Sequence, residues 1–398
     1  MLTTDEVARR LGVKPATIYA YVSRGLLASS RNADGKGSLF AEADVEAFAA
    51  SRRRTVAPGE SPPIHTGITL IKDGTLYFRG QDALALATAA SYESVATLLW
   101  TGHLDTRHAA PAGELLALAE AVTGPLPAAA RLADRLRVIV AALAAADPLR
   151  FDTAPAAVIA TGRTMIATMV AALPLRRLTE PPLDDRFPLA GVLWPRLTAD
   201  DPTPAGIATL NAAMVLLADH DIAASTLAAR VAASTRAHPY AVVGAGLAAL
   251  DGPLHGAASG LAYTLLAEAV RTGDPMGAIS DRLRAGGTIP GFGHRLYPGG
   301  DPRALTLLAL IRETAAGDAC ATIDEVAAAV TQRSGLLPNI DFAIAAFALL
   351  NNMDSEAGEA IFAVARTAGW IAHALEEYSD RPSRFRPTGH YAGRPPAP

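Results

Sequence analysis

Three short segments of the chain concentrate the residue types that do chemistry. The densest contains Gly291-Phe292-Gly293-His294-Arg295-Leu296-Tyr297 and, just beyond it, Asp301-Pro302-Arg303. A second histidine lies in Asp251-Gly252-Pro253-Leu254-His255-Gly256, and a lone carboxylate in Leu337-Pro338-Asn339-Ile340-Asp341. Small residues, histidines and charges are crowded together here, in a chain otherwise rich in alanine and leucine. We therefore interpret the three segments as parts of one site.

A lone histidine is more often structural than catalytic, and the chain has nine. Besides His255 and His294, His220 has a context that suggests chemistry, because Asp219 and Asp221 flank it and are able to orient its imidazole. A zinc site of three histidines is the competing hypothesis, but no His-x-His or His-x-x-x-His spacing supports it. We therefore expect no metal. The remaining histidines are interpreted as structural: His65, His103, His108, His238, His373 and His390.

Composition limits the kind of protein that positions these residues. At 398 residues the chain is long enough for two or three domains. Half of the residues are hydrophobic and only 19% are charged, which predicts a large buried interior with room for a buried subunit interface. The net charge of −4 gives the whole chain no attraction to nucleic acid, but residues 1–54 hold nine Lys or Arg against six Asp or Glu.

Cysteine use and hydropathy point to the compartment. The single cysteine, Cys320, excludes an intramolecular disulfide and a cysteine-rich zinc site, and it fits a reducing environment. The acidic start Met1-Leu2-Thr3-Thr4-Asp5-Glu6 lacks the basic and apolar parts of a secretory signal. No uncharged apolar run reaches the roughly 18 residues that span a bilayer. We expect a cytoplasmic protein without membrane contact.

The first fifty residues predict a small helical module. Thr3-x-x-Glu6 has the form of a capping box, which predicts a helix that ends at Gly12. Pro15 suits the first position of a second helix that runs to about Ser23. A basic, glycine-containing hairpin or wing over residues 29–40 and a further helix over residues 41–54 follow.

This module resembles the winged helix-turn-helix of the MerR and excisionase-like families, whose pattern contains T-x-x-E-V-A-x-x-L-G-V and T-I-Y-x-Y. The resemblance implies that the second helix enters the major groove of DNA while flanking cations contact phosphates. A module that contacts another domain or a protein is the alternative, because a surplus of three positive charges is small for DNA binding. The implied groove residues are Lys14, Thr17 and Tyr19, and the implied phosphate contacts are Arg24, Arg31 and Lys36.

Beyond a linker rich in proline over residues 55–65, the pattern changes to one β-hairpin and then helices. Residues 66–80 predict two short strands across the Asp73-Gly74 turn. From Asp82 to Tyr378 helical periodicity is almost continuous, with no helix predicted between Leu173 and Pro204. Many of these helices are rich in alanine and apolar on more than one face, which is typical of helices buried on several sides. The fold class predicted for this part is all-α.

From Thr66 to Gly393 the chain resembles the citrate synthase family. Each motif alone is weak, but eight of them occur in order at the spacing of the family. They are Phe78-Arg79-Gly80, Asp219-His220-Asp221, Gly252-Pro253-Leu254-His255-Gly256, Pro290-Gly291-Phe292-Gly293-His294-Arg295, Asp301-Pro302-Arg303, Pro338-Asn339-Ile340-Asp341, Ala365-Arg366-Thr367-Ala368-Gly369-Trp370, and Arg386-Pro387 with Tyr391-Ala392-Gly393.

The resemblance implies a multi-helix, two-domain fold behind the winged helix-turn-helix of residues 1–54. The large domain would consist of residues 66–256 and 351–398, and the small domain of residues 257–350. An obligate homodimer is implied too, because in the family the last arginine of the site, here Arg386, comes from the partner subunit.

The implied reaction condenses acetyl-CoA with oxaloacetate and hydrolyses the thioester. Asp341 would remove the proton next to the thioester, His255 would donate to the enol oxygen, and His294 would polarise the ketone. Guanidinium groups suit the two carboxylates of oxaloacetate better than ammonium groups do. By resemblance, Arg303, Arg366, Arg386 and His220 bind oxaloacetate, while Gly291, Phe292, Gly293 and Arg295 bind coenzyme A. The thioester is a substrate, and no cofactor is implied.

Three positions depart from the family pattern and leave the substrates open. Amide side chains of the family are replaced by Ala223 and Ser259, and a usual lysine by Pro298. The first alternative is a 2-methylcitrate synthase that uses propionyl-CoA. The second is a DNA-binding regulator that uses a synthase-like domain to sense CoA or dicarboxylates.

Overall fold

The structure is a computed structural model that describes residues 1–11, 13–23, 27, 29–31, 38–46, 64–105, 110–177, 186–315, 317–380, 385 and 392–393. It contains two compact units, one that includes Met1–Ile64 and one that spans His65–Arg386. Most of the predicted linker lies outside the described residues. The division of the second unit into a large and a small domain stays a prediction.

The N-terminal unit has the predicted helices and hairpin strands in the predicted order, preceded by a short strand that was not predicted. Thr3 N–H donates to Glu6 Oε2 at 2.7 Å, and Glu6 N–H donates to Thr3 Oγ1 at 3.4 Å, so the capping box is present. The second helix begins at Pro15 and ends at Ser23, as predicted. The elements are β1 (Leu2–Thr3), α1 (Thr4–Leu11), α2 (Pro15–Ser23), β2 (Ser30–Arg31), β3 (Ser38–Phe40) and α3, described over residues 42–46. The antiparallel sheet has the order β1-β3-β2.

The second unit opens with the predicted hairpin, extended by one more strand. The strands β4 (Thr69–Lys72), β5 (Thr75–Phe78) and β6 (Gln81–Asp82) pair antiparallel in this order. Asp73 and Gly74 have φ angles of 51° and 76°. These left-handed values explain why an Asp-Gly pair occupies the turn.

Helices account for most of the rest of the second unit. None of the described helices is long and apolar enough to cross a membrane. They are α4 (Ala83–Ala89), α5 (Tyr92–Thr101), α6 (Gly113–Thr123), α7 (Leu132–Ala146), α8 (Pro155–Ala171), α9 (Pro188–Leu197), α10 (Pro204–Leu217), α11 (Ala224–Ser234), α12 (Pro239–Leu250), α13 (Ala258–Thr272), α14 (Pro275–Arg284), α15 (Pro302–Thr314), α16 (Asp318–Ser334), α17 (Ile340–Leu350) and α18 (Ala357–Ser379).

Helix α9 was not predicted from the sequence. Pro188 suits the first position of the helix, but Pro195 lies inside it, and an internal proline normally argues against a helix. Burial compensates, because Trp194 packs edge-on against Phe347 at a ring-centroid distance of 6.2 Å. The Arg196 side chain also donates to the Ala171 carbonyl at 2.8 Å. Tertiary contacts therefore override the local signal.

The long helix α18 lies at the centre of the core. It is buried along almost its whole length and packs against α5, α8, α10, α11 and α12. Small residues let these helices approach closely: a Cβ atom on Gly246 of α12 would come within 2.5 Å of the Trp370 ring of α18. The alanine-rich, many-sided apolar pattern of the sequence is therefore explained by burial on several faces.

Two glycines of α12 provide a matched test of this packing. We expect Gly246→Ala to destabilise the fold by about 1–3 kcal/mol, because the new methyl group overlaps the Trp370 ring. Gly244→Ala is the control, because a Cβ atom there meets nothing within 4 Å in the described chain. The control should raise stability by up to about 1 kcal/mol through its helix propensity. Urea unfolding measures both, and equal effects would contradict the packing argument.

Candidate active site

Two of the segments singled out in the sequence are joined by backbone hydrogen bonds. Asn339 N–H donates to the Gly291 carbonyl at 2.9 Å, and Gly293 N–H donates to the Leu337 carbonyl at 2.8 Å. The Asn339 side chain also donates to the Gly293 carbonyl at 3.0 Å. The loop that carries His294 is thereby held beside the N-terminus of α17, which carries Asp341.

The glycines of this loop are required by its packing against α17. Gly291 has a φ of 84°, and a Cβ atom there would lie 2.9 Å from Phe342 Cβ and 3.2 Å from Ala262. Phe292 stacks edge-on against Phe342, with ring centroids 5.1 Å apart. In this structure Gly291 therefore makes room for the close approach of helix α17. The predicted contact of the loop with CoA, and that of the exposed Arg295, stays a prediction.

Asp301 connects the site's arginine to its carboxylate. Its Oδ1 accepts from Arg303 Nε at 3.0 Å, and its Oδ2 accepts from Arg303 Nη2 at 2.8 Å. The same Oδ2 accepts from Ile340 N–H, at the first residue of α17, at 3.1 Å. Both charged side chains are almost completely buried. One carboxylate therefore links the start of α15, which carries Arg303, to the start of α17.

Asp341 lies at the second position of α17 and has the properties of a general base. Its backbone N–H donates to the Asn339 side chain at 3.0 Å. Its carboxylate oxygen Oδ1 is buried and has no hydrogen-bond partner. Burial raises the pKa of Asp341 to about 6, although the nearby Arg303 lowers it. At neutral pH this carboxylate is ionised, poorly solvated and free to accept a proton.

His294 presents a defined hydrogen-bond donor to the site. The Leu296 N–H donates to Nδ1 of His294 at 3.2 Å, so Nδ1 acts as an acceptor. Burial, together with the Arg303 charge, lowers the pKa of His294. The neutral ring that results carries its proton on Nε2, which can donate to a substrate oxygen.

His220 forms one aromatic group with His294 and Tyr297. His220 Nε2 lies 3.0 Å from the Tyr297 hydroxyl oxygen, and the His220 and His294 ring centroids are 5.2 Å apart. Burial and the charges of Arg303 and Arg366 place the pKa of His220 well below its ordinary value. The sequence signal for Tyr297 was its position in the densest segment, but no role was predicted for it.

The prediction that Asp219 orients His220 is wrong, because other residues contact the Asp219 carboxylate. Asp219 accepts from the Thr69 hydroxyl at 2.5 Å and lies 3.3 Å from His373 Nε2. Burial alone raises the pKa of Asp219, but the neighbouring His373 and Arg366 outweigh it and lower that pKa. His373 is completely buried, in keeping with the structural role predicted for it.

His255 lies in the turn before α13, three residues ahead of the helix at Ala258. Burial and the Arg366 charge lower the pKa of His255 to about 4. His255 Nε2 lies 2.7 Å from the Ser225 hydroxyl oxygen, and the Phe362 ring is 5.4 Å away. Ser225 was missed, although a serine inside an alanine-rich helix was a signal.

Arg366 is buried with unmet hydrogen-bonding capacity. Its Nε donates to the Leu217 carbonyl at 2.7 Å, and its guanidinium stacks on Phe362 at 4.7 Å. Its Nη1 is buried without a partner. Burial, together with the Arg303 charge, lowers the pKa of Arg366 to about 10. An unpaired buried cation next to a second arginine suits an anionic ligand.

The three residues that depart from the family pattern have different local environments. Ala223 is the N-cap of α11 and makes no side-chain cap bond. Ser259 is buried and donates to the Gly256 carbonyl at 3.2 Å. Its hydroxyl would lie 2.7 Å from a Cβ atom on Gly358, so the position has little spare room. Pro298 is exposed.

The remaining predicted residues belong to the N-terminal unit or fall outside the described residues. Arg386, Arg24 and Lys36 fall outside the described residues, as does the side chain of Arg31. In the N-terminal unit, Lys14 is exposed, Thr17 is half-buried and Tyr19 is 56% exposed. Among the described residues, no group of three or more His, Cys, Asp or Glu is placed to hold a metal ion.

The fold and the site define a helical enzyme with a buried carboxylate, three imidazoles whose pKa values are lowered, and a pair of buried arginines. The family model described as citrate synthase, C-terminal domain, matches residues 61–388, and one described as a helix-turn-helix domain matches residues 1–53. The chain belongs to the citrate synthase family and is an acyltransferase with an N-terminal helix-turn-helix domain.

Curated relatives and solved structures agree with this assignment. A citrate synthase of Haloferax volcanii is 33% identical over 80% of this chain and 90% of its own length. A 2-methylcitrate synthase of Mycobacterium tuberculosis is 30% identical over 80% and 85%, respectively. The citrate synthase structure from Thermotoga maritima has a TM-score of 0.67 and 25% identity over 83% of this chain and 93% of its own. One from Thermoplasma acidophilum, solved with carboxymethyl coenzyme A and oxaloacetate, has a TM-score of 0.71 and 23% identity over 84% and 95%.

The raised pKa of Asp341 predicts a stability cost that depends on pH. A folded-state pKa of about 6, above an ordinary value of 3.8, means that stability falls as pH rises between these values. Asp341→Asn removes the cost and should stabilise the ligand-free protein by up to about 3 kcal/mol at pH 8. At pH 5 the gain should be about half as large. Urea unfolding at both pH values measures it, and equal gains would contradict the raised pKa.

Proposed function

We propose that the protein condenses acetyl-CoA with oxaloacetate and hydrolyses the resulting thioester to citrate and CoA. The observation that carries this proposal is the unpartnered, buried carboxylate oxygen of Asp341, with a pKa of about 6. A proton on carbon next to a thioester is weakly acidic, so its removal needs a base that is poorly solvated and close to the operating pH.

In the first step Asp341 removes this proton, and His255 stabilises the enol. His255 Nε2 is engaged with the Ser225 hydroxyl, which leaves Nδ1 for the thioester oxygen. When the serine hydroxyl donates to Nε2, Nδ1 keeps the proton that it donates to the developing enolate. The low pKa of His255 keeps the ring neutral, so it acts as a hydrogen-bond donor.

In the second step the enol carbon attacks the ketone of oxaloacetate. His294 Nε2 donates to the ketone oxygen, because its Nδ1 is already occupied by Leu296 N–H. Arg303, Arg366 and His220 bind the carboxylates, and Arg386 is supplied by the second subunit of a homodimer. Guanidinium groups held in fixed orientations orient the ketone toward the nucleophile.

Water then hydrolyses the citryl thioester. CoA is bound as part of the substrate by the loop at Gly291, Phe292 and Gly293 and by Arg295, and the reaction needs no resident cofactor. Propionyl-CoA is the alternative acyl donor, because relatives include a 2-methylcitrate synthase. The single cysteine fits a cytoplasmic location. The formation of citrate from oxaloacetate fits a role in the tricarboxylic acid cycle.

Release of the CoA thiol tests the reaction. With oxaloacetate present, we expect release from acetyl-CoA, and Asp341→Asn should lower kcat by about 100-fold or more because the base is lost. The ratio of kcat/KM for acetyl-CoA to that for propionyl-CoA decides between the two donors. In wild type, kcat/KM should fall as pH drops below about 6, where Asp341 is protonated. No release from either thioester would contradict the proposed function.

A second function, DNA binding, is supported by the helix-turn-helix match over residues 1–53. The exposed side chains of Lys14 and Tyr19 on and before α2, with the half-buried Thr17, are available to a DNA groove. Arg24, Arg31 and Lys36 would add phosphate contacts by analogy with the sequence pattern alone. The enzyme and the DNA-binding module can coexist in one chain, with the synthase part acting also as a sensor of CoA or dicarboxylates.

A gel shift with a duplex of random sequence tests this second function. We expect binding at low salt that weakens as salt rises, and Lys14→Ala should reduce the affinity about 10-fold. Lys72→Ala is the matched control, because it removes an exposed lysine from β4 in the second unit. A shift that both substitutions weaken equally, or no shift at low salt, would exclude DNA binding through α2.

A further inference from the structure

A cluster of charges around Arg131 lies outside the residues assigned to substrate binding. We call it the Arg131 cluster: Arg131, Asp134, Asp251, Glu356 and Glu359. Arg131 Nη2 donates to Asp251 Oδ1 at 2.5 Å, and Arg131 Nη1 donates to Glu359 Oε2 at 3.3 Å. Its Nε donates to Asp134 Oδ2 at 3.3 Å. A single guanidinium thus contacts three carboxylates.

The three carboxylates belong to different elements. Asp134 is in the first turn of α7, the helix that begins directly after Arg131. Asp251 ends α12 and begins the turn that leads to His255. Glu359 is in the first turn of α18. Within the cluster, Glu356 Oε2 also accepts from Leu132 N–H, the first amide of α7, at 2.9 Å. The cluster therefore joins α7, the His255 turn and the start of α18.

The His255 turn has little freedom of its own beyond this link. His255 N–H donates to the Gly252 carbonyl and Gly256 N–H to the Leu250 carbonyl, both at 2.9 Å. A Cβ atom on Gly256 would lie 2.6 Å from Leu250 Cγ. The turn is therefore tied to the end of α12, and Asp251 is the point at which Arg131 contacts it.

The other end of the link leads to the substrate side of α18. Phe362 and Arg366 follow Glu359 by about one and two helical turns. Phe362 contacts both the His255 ring, at 5.4 Å, and the Arg366 guanidinium, at 4.7 Å. The contacts from Asp251 through Arg131 to Glu359 therefore connect the same two elements, the His255 turn and α18, as the contacts of Phe362 with His255 and Arg366.

The link has one buried end at Glu359, while the Arg131 side chain is 41% exposed and that of Asp251 30% exposed. The Glu359 side chain is 6% exposed, and its Oε1 is buried without a partner. Burial raises the pKa of Glu359, while Arg131 opposes that effect. Without Arg131, Asp251 would keep its pair with Arg137, but the charge that joins it to Glu359 and Asp134 would be lost. Repulsion among the three carboxylates would then loosen the turn from α18.

We propose that Arg131 is a positioning residue of the active site: through Asp251 and Glu359 it holds His255 against Phe362 and Arg366 of α18. The proposal rests on the proposed function, because it assigns His255 the enol-stabilising role. Its consequence is that loss of Arg131 misplaces a catalytic imidazole without touching a substrate.

The kinetic test compares Arg131→Gln with Arg137→Gln. Arg137 also pairs with Asp251, at 3.2 Å, and is as exposed as Arg131, 43% against 41%. Within the described part of the chain, however, its side chain makes no hydrogen bond or ion pair with α18. We expect Arg131→Gln to lower kcat by about 10-fold to 100-fold, while KM for oxaloacetate changes by less than about twofold. Arg137→Gln should change kcat by less than about twofold. Equal kcat values for the two variants would overturn the proposal.

Two further variants separate positioning from general stability. Asp251→Asn removes the charge without changing shape, and it substitutes for Arg131→Gln if that variant does not fold. The double variant that combines Arg131→Gln with Asp251→Asn should have a kcat no lower than that of Arg131→Gln, because both changes break the same link. Arg131→Lys should recover only part of kcat, because an ammonium group does not span three carboxylates. Fully additive losses, or complete recovery with lysine, would contradict the proposal.

A titration of His255 distinguishes failure of this inference from failure of the proposed function. NMR of protein labelled at histidine, with the His255 signal assigned from His255→Gln, needs no turnover. We expect the His255 pKa to rise from about 4 toward its ordinary value in Arg131→Gln, because the loosened ring is hydrated. An unchanged pKa would overturn the positioning role. Absence of thiol release by wild type would instead contradict the function.

Discussion

The buried pair of Asp301 and Arg303 is the interaction on which the rest of the site depends. Two hydrogen bonds join the side chains, and a third joins Asp301 to the first amide of α17. Removing one partner of such a pair typically costs about 3–5 kcal/mol, because the other charge stays buried. Since α15 carries Arg303 and α17 carries Asp341, the pair fixes the position of Asp341 relative to Arg303.

This pairing also explains why Asp341 remains a base. A carboxylate beside a free guanidinium would form an ion pair, and its pKa would fall. Here the Arg303 nitrogens Nε and Nη2 are occupied by Asp301, and Asp341 Oδ1 has no partner. Burial therefore prevails, and the pKa of Asp341 rises to about 6. The protein keeps a destabilised carboxylate where its chemistry requires one, while a neighbouring carboxylate neutralises the cation.

The sequence predicted local structure and motif membership better than contacts between distant side chains. Pro15, Asp73 and Gly74 act through backbone geometry, so their elements were confirmed closely. The bonds of His220 to Tyr297 and of His255 to Ser225 span 77 and 30 residues. Nothing in local periodicity specifies such pairs. For the same reason Asp219 was wrongly predicted to orient the adjacent His220. Helix α9 was missed because Pro195 lies inside it, and only tertiary burial outweighs this local signal against a helix.

One long helix explains how these distant groups act together. Helix α18 presents Glu359 to the Arg131 cluster, Phe362 and Arg366 to the site, Trp370 to α12, and His373 to Asp219. Rigidity along this helix requires close packing on all sides, which alanine and glycine neighbours permit. The small-residue composition is thus tied to function, since a looser core would allow the guanidinium of Arg366 to move relative to the ring of His255. Precision at the site is therefore a property of helix packing as much as of the motifs that line it.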